Sequence, residues 1–193
     1  MTNDELKKKF SDAVKSARRQ SAPWRKEARE AFDFVAGHQW TKEDLDILEK
    51  QDRPAVTFNR IDPIIESVSG SEVNNRQEVT FLAPEPSDQS IVDVGNAAAK
   101  WALKRADADE ENSEAFKSAV ICGMGFADHT MEYDEDPDGK FVVSADDQLT
   151  YYWDHHARKP NLTDARWLGQ VKEYDKDEFK FQFPKKKGKP TVF

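Results

Sequence analysis

Up to Gly125 the apolar residues of this chain recur every three or four positions, and from Phe126 onward they recur every second position. A helical period puts one stripe against a core, whereas an alternating period puts one strand face there. The switch therefore divides the chain into a helical first part and a stranded second part. The class this implies is α+β: N-terminal helices, then a helix pair and a small antiparallel sheet.

Local signals place the elements. Thr2 with Glu5 makes a capping box ahead of Leu6, Phe10, Val14 and Ala17, which predicts a helix to about Gln20. Pro23 suits the first turn of a second helix, whose stripe of Trp24, Ala28, Ala31, Phe32 and Val35 closes at Gly37. Thr41 can cap a short helix carrying Leu45 and Leu48, and RPAVTF, 53–58, reads as extended. Asp62 before Pro63 reads as the N-cap of a helix through Ile65 and Val68 that fades near Asn74 and Asn75. A short strand is expected around Val79 and Phe81, and the turn-rich stretch from Pro84 to Asp88 marks a boundary between segments 1–83 and 84–193. Ile91, Val94, Ala98, Trp101, Ala102 and Arg105 form one helical stripe, and Ala115, Phe116, Ala119 and Val120 a second that stops at Gly123 and Gly125. The acidic run Asp107 to Glu111 splits the two helices, and strands follow near 126–133, 140–145, 149–153 and 165–173. No repeat of fixed period is visible.

Composition limits what this architecture can do. Hydrophobic residues make up 37% and charged residues 34%, so the core is thin and little apolar surface is expected outside it. Twelve Phe and five Trp still supply more burial than a disordered chain carries. A net charge of -8 argues against a protein that grips nucleic acid through clustered Lys and Arg, though it leaves room for an acidic wall past which DNA slides. Cys122 is the sole cysteine, so no intrachain disulfide can form, and beside Val120 and Ile121 it reads as a small apolar residue. No apolar run approaches the roughly 18 residues of a membrane span, and MTNDELKKKF has no signal-peptide core. The expectation is a soluble protein made in the cytoplasm.

Three clusters invite a chemical reading. Asp134, Asp136, Asp138 and Gly139 match the start of a calcium loop, which would make a metal-dependent enzyme the alternative function. The twelfth position, however, is Ala145, which offers no bidentate carboxylate, and strand-like flanks replace the required helices; a solvated hairpin turn is the better reading. Asp154, His155 and His156 are adjacent, and on an extended chain neighbours point to opposite sides, so they are not expected to share a metal. The lysine cluster at 185–189 lacks an aromatic platform and reads as a solvated loop. With no nucleophile elbow, phosphate loop or H-E-x-x-H, no catalytic residue, cofactor or metal site is named.

Three blocks in order carry a family resemblance. FDFVAGHQW, 32–40, is followed by RPAVTFNRIDPIIESVSGSEVNNRQEVTFLAP, 53–84, and later by YYWDHHARKPNLTDARWL, 151–168. Together they resemble the opening of portal proteins from short-tailed phages. That family shows an aromatic-x-x-G-x-Q-W element, a short acidic helix, R-P-x-x-x-x-N-R and a helix ending in N-R. The matching positions are Phe34, Gly37, Gln39 and Trp40, then Arg53, Pro54, Asn59 and Arg60, then Asn75 and Arg76, with Trp153 and Asp154 in the last block. At His155 the family commonly has proline. In physical terms Gly37 ends a helix, Gln39 and Trp40 anchor its exit, and Arg53 and Arg60 suit bidentate carboxylate pairs.

The resemblance implies a non-enzymatic subunit of a homo-oligomeric ring, twelve-fold in the family, at the capsid vertex of a virion. Its partners would be the terminase, coat or scaffolding protein, tail adaptor proteins and passing double-stranded DNA read without sequence specificity, with no membrane. It also implies a longer protein, with a stem and clip beyond Phe193 and segment 84–193 in the outer wing. The alternative is another structural or scaffolding protein of a virion.

Overall fold

In a computed structural model, residues 2–78, 80–133 and 136–182 are described. Among them are helices α1 (Asn3–Val35), α2 (Lys42–Lys50), α3 (Asp62–Asn74), α4 (Gln89–Arg105), α5 (Ala108–Cys122) and α6 (Lys176–Gln182). The strands are β1 (Phe126–Glu132), β2 (Lys140–Asp146), β3 (Tyr151–Trp153) and β4 (Leu168–Gln170). Helices followed by antiparallel strands make this an α+β chain. The four strands do not join one sheet: β1 pairs with β2 in one two-stranded ladder and β3 with β4 in another.

Two helices foreseen on either side of Pro23 are one. Val14, Ala17, Arg25 and Ala28 are buried and Ser21, Trp24, Ala31, Phe32 and Val35 half-buried, so the covered stripe keeps its helical phase straight through the proline. Pro23 removes only its own N–H from the ladder, and the continuous stripe outweighs that loss. The capping box at the start is present: Thr2 N–H donates to Glu5 at 2.9 Å and Glu5 N–H to Thr2 Oγ1 at 3.4 Å. Gly37, at φ 89°, takes the left-handed conformation that ends the helix.

The chain forms two units, one spanning Arg19–Leu149 and the other combining the described residues up to Arg18 with those from Thr150 on. In the first, α5 packs on β2, on α3 and on α4. Ala108 and Val143 are buried there, and a Cβ at Gly125 would run into the Ala115 carbonyl of α5, so glycine lets β1 leave this closely. Trp24 donates its indole N–H to the Cys122 carbonyl at 2.9 Å, and buried Arg25 donates to Ser21 Oγ at 2.9 Å and to the Leu149 carbonyl. In the second unit, β3 and β4 pair over three residues each, and Tyr151 is buried.

Other boundaries differ from the sequence reading for identifiable reasons. The helices split at the start of the acidic run, at Asp107, φ 48°, and the rest of the run becomes the first turn of α5, where Asp109, Glu110 and Glu111 face the positive end of the helix dipole. Residues 80–82 form no strand, because Phe81 gives its N–H to Asn96 Oδ1 at 2.7 Å and takes Asn96 Nδ2–H on its carbonyl at 3.1 Å, a side-chain amide standing in for a neighbouring strand. Val79 lies outside the described residues, as do Asp134 and the lysines at 185–189. The α6 helix had no sequence signal.

The expected scarcity of exposed apolar surface is overturned. Phe58 is 80% exposed, Leu82 86%, Ile91 71%, Val94 70% and Trp101 63%. Of the helical stripe on α4, Ile91, Val94, Ala98, Trp101 and Arg105 are exposed and Ala102 is half-buried.

Candidate functional site

Asn59 organises the first motif blocks. Its Nδ2 donates to the Val35 carbonyl at 2.7 Å, closing the C-terminal end of α1, while its Oδ1 accepts from the N–H groups of Ile61 and Asp62 at 3.2 and 3.3 Å. The cap of α3 is thus this amide, and Asp62, read as the cap from sequence, is the first helical residue instead. Gln39 Nε2 donates to the Phe34 carbonyl at 3.3 Å beside Gly37, and Phe34 and Trp40 are 45% and 41% exposed. Thr41 caps α2 by accepting from Asp44 N–H at 3.1 Å.

The α3 helix ends at the N-R pair. Asn75 donates to the Ser71 carbonyl at 2.7 Å. Arg76 reaches α5, donating to Ser113 Oγ at 2.5 Å and the Asp109 carbonyl at 2.9 Å, with Glu72 at 3.5 Å. By contrast, Arg53 and Arg60 are exposed, and neither guanidinium pairs with a carboxylate among the described residues. The bidentate pairs foreseen there do not form among the described residues, although Glu49 and Asp52 line the same depression as Arg53. Pro54 lies with Arg53 in a shallow depression lined by Leu45, Leu48, Glu49, Asp52 and Ala55.

The last block holds a bidentate pair that sequence reasoning missed. Asp154, 1% exposed, receives Arg166 Nε on Oδ2 at 2.5 Å and Nη2 on Oδ1 at 3.1 Å. Its Oδ1 also accepts His156 N–H at 3.1 Å, and its own N–H donates to the Trp167 carbonyl at 3.1 Å, just beyond the pairing of Trp153 with Leu168. The Arg166 hydrogen bonds, against the cost of burial and with help from His156, hold the Asp154 carboxyl far below the ordinary carboxylate range. Nearby, Asp164 accepts from the N–H groups of Arg158 and Lys159 at 2.7 and 3.2 Å, which lowers its pKa as well.

Asp154, His155 and His156 come together after all: the chain turns at 155–156, and their ligand atoms lie within 4.8 Å of one another. They are poorly suited to a cation, since Arg166 already takes both carboxylate oxygens and its Nη2 lies 2.8 Å from His156 Nδ1. In the acidic hairpin, Asp136 Oδ1 accepts Asp138 N–H at 3.0 Å as a turn, Gly139 has φ 87°, and Ala145 sits in β2 opposite Ala127. The fully described positions of that motif thus build a hairpin. The Cys122 thiol is half-buried, contacts the Ser118 and Met124 carbonyls at 3.2 Å, and is pushed up in pKa by burial, the opposite of an activated nucleophile.

The hydrogen bonds at Asn59, Arg76 and Asp154 each join segments separated along the chain. The model of the phage P22-like portal protein family matches residues 11–192. The chain belongs to that family. No curated protein matches. As a portal protein it is a structural part of the bacteriophage virion, in the head–tail connector, and the family forms an oligomeric ring at the capsid vertex with DNA. No described helix is long and apolar enough to cross a membrane. In this portal subunit Asn59, Arg76 and Asp154 tie its elements together, whereas the Arg53 and Arg60 side chains make no ion pair among the described residues.

Proposed function

We propose that this chain conducts double-stranded DNA during packaging and ejection as part of a twelve-fold portal ring, docking the terminase on one side and tail adaptor proteins on the other. Coat or scaffolding protein would meet its outer surface, and segment 84–193 would lie in the wing. Assembly would take place in the host cytoplasm before the ring enters the virion. The observation carrying this reading is the family match across 11–192. The charge of -8 agrees with a wall that lets DNA slide rather than gripping it.

A nonsense mutation early in the gene, in the phage or prophage that encodes it, is the test. Heads assembled without the protein should contain no DNA, and supplying the wild-type gene in trans should restore filling. Heads that fill normally without it would overturn the proposal.

A further inference from the structure

Segment Arg53–Arg60 belongs to no helix or strand and is largely exposed; Arg53 N–H, on the Leu48 carbonyl at 2.9 Å, and the Asn59 amide tie its two ends into the fold. The N–H groups of Val56, Thr57 and Phe58 make no hydrogen bond to any described residue. Val56 and Phe58, 52% and 80% exposed, are two residues apart, the spacing that puts two side chains on one side of a strand. Arg53 and Arg60 bracket them, and neither guanidinium has a hydrogen bond or ion pair to a described residue. Arginine and aromatic side chains of this kind dominate protein interfaces.

The β1–β2 hairpin offers the complementary surface. It is a two-stranded ladder, and α5 covers the outer side of β2, where Glu111 accepts the Ala145 N–H at 2.6 Å. The outer edge of β1 carries no strand among the described residues. Met131 and Tyr133, two apart, are 47% and 61% exposed. The hairpin is acidic, with Asp128, Glu132, Asp136 and Asp138 against Lys140.

We propose that Arg53–Arg60 of one copy adds as a third, antiparallel strand to the β1 edge of the next copy in the ring. This rests on the ring assembly given above. A closed ring needs two different faces that fit each other, and these two fit in shape and charge. With Phe58 opposite Met131 and Val56 opposite Tyr133, Arg53 falls at the acidic turn by Asp136 and Asp138. Arg60 falls opposite His129, one residue along from Asp128. Main-chain bonds would supply the pairing, and the charges its direction.

Charge reversal tests this in protein expressed from the complete gene, with ring formation followed by light scattering. R53E/R60E should raise the concentration for half-assembly by about tenfold or more, and so should D128K/D138K. Mixing the two should restore rings, since each reversed segment then meets a reversed hairpin, a recovery that misfolded variants cannot give. R53E/R60E rings forming at wild-type concentration would overturn the inference while leaving the ring reading intact, as would a mixture that stays unassembled. Rings that form normally but lose retention of duplex DNA would also overturn it, making the segment a nucleic-acid contact. Wild-type protein that never assembles would defeat the ring reading itself.

Discussion

Blocks 53–60 and 151–168 both carry family motifs with arginines, yet they are built in opposite ways. In the later block Arg166 holds both oxygens of a buried Asp154. In the earlier one Arg53 and Arg60 stand exposed beside Val56 and Phe58, and among the side chains of 53–60 Asn59 is the one that hydrogen-bonds to described residues. Buried charge must be paired where it sits, whereas exposed arginine keeps its hydration at little cost until a partner displaces it. One block has settled its interactions within the chain; in the other the two arginine side chains make none among the described residues.

The largest effect should come from breaking the settled block. Arg166→Met strands a carboxylate buried to 1% exposure, and the urea midpoint should fall further than for any other substitution named here. Asp154→Asn/Arg166→Met, which removes the stranded charge, should recover part of the loss. A midpoint unchanged in Arg166→Met would show that the pair is not what holds this block.

Acid provides a second break. Because Asp154 has a folded pKa held below its unfolded value, its contribution is fully present above the ordinary carboxylate pKa, about 3.9, and is lost as pH falls below that. Asp164, shifted the same way, adds to it. Urea midpoints measured down from pH 6 should hold until about pH 4 and then drop, and the drop should be shallower in Asp154→Asn/Arg166→Met.

Smaller effects belong to the earlier block. Asn59→Ala removes the closure of α1 and the cap of α3 together and should cost about 1–2 kcal/mol in urea melts. Trp40, at 41% exposed, should cost less on truncation to Ala than the roughly 3–5 kcal/mol of a fully buried aromatic.

What the sequence made legible follows the same divide. Signals that act over one helical turn were readable: the Thr2–Glu5 box, the Thr41 cap, the Gly37 and Gly123 exits. So was the change of period at Phe126, where β1 begins. Partners chosen by tertiary approach were not. Arg166 lies 12 residues from Asp154, and Asn96 lies 15 from the Phe81 it satisfies, separations with no periodic signature. Pro23 misled because its local preference for a first turn is weaker than a covered stripe that runs on in phase. The split of four strands into two ladders depends on which edges meet, and alternation of side chains is blind to that.

The smallest effect is the one that decides what the exposed block is for. Arg53→Ala and Arg60→Ala remove no hydrogen bond or ion pair to any described residue, so each should change stability by less than about 0.5 kcal/mol. Phe58→Ser, at a position 80% exposed, should be equally mild. A residue placed for folding cannot be removed so cheaply, and a residue placed for association can. If urea melts stay within that margin while ring assembly weakens, the arginines of 53–60 act between copies. A loss above about 2 kcal/mol from any one of the three would mean that the block is settled within its own chain, and the contrast with 151–168 would disappear.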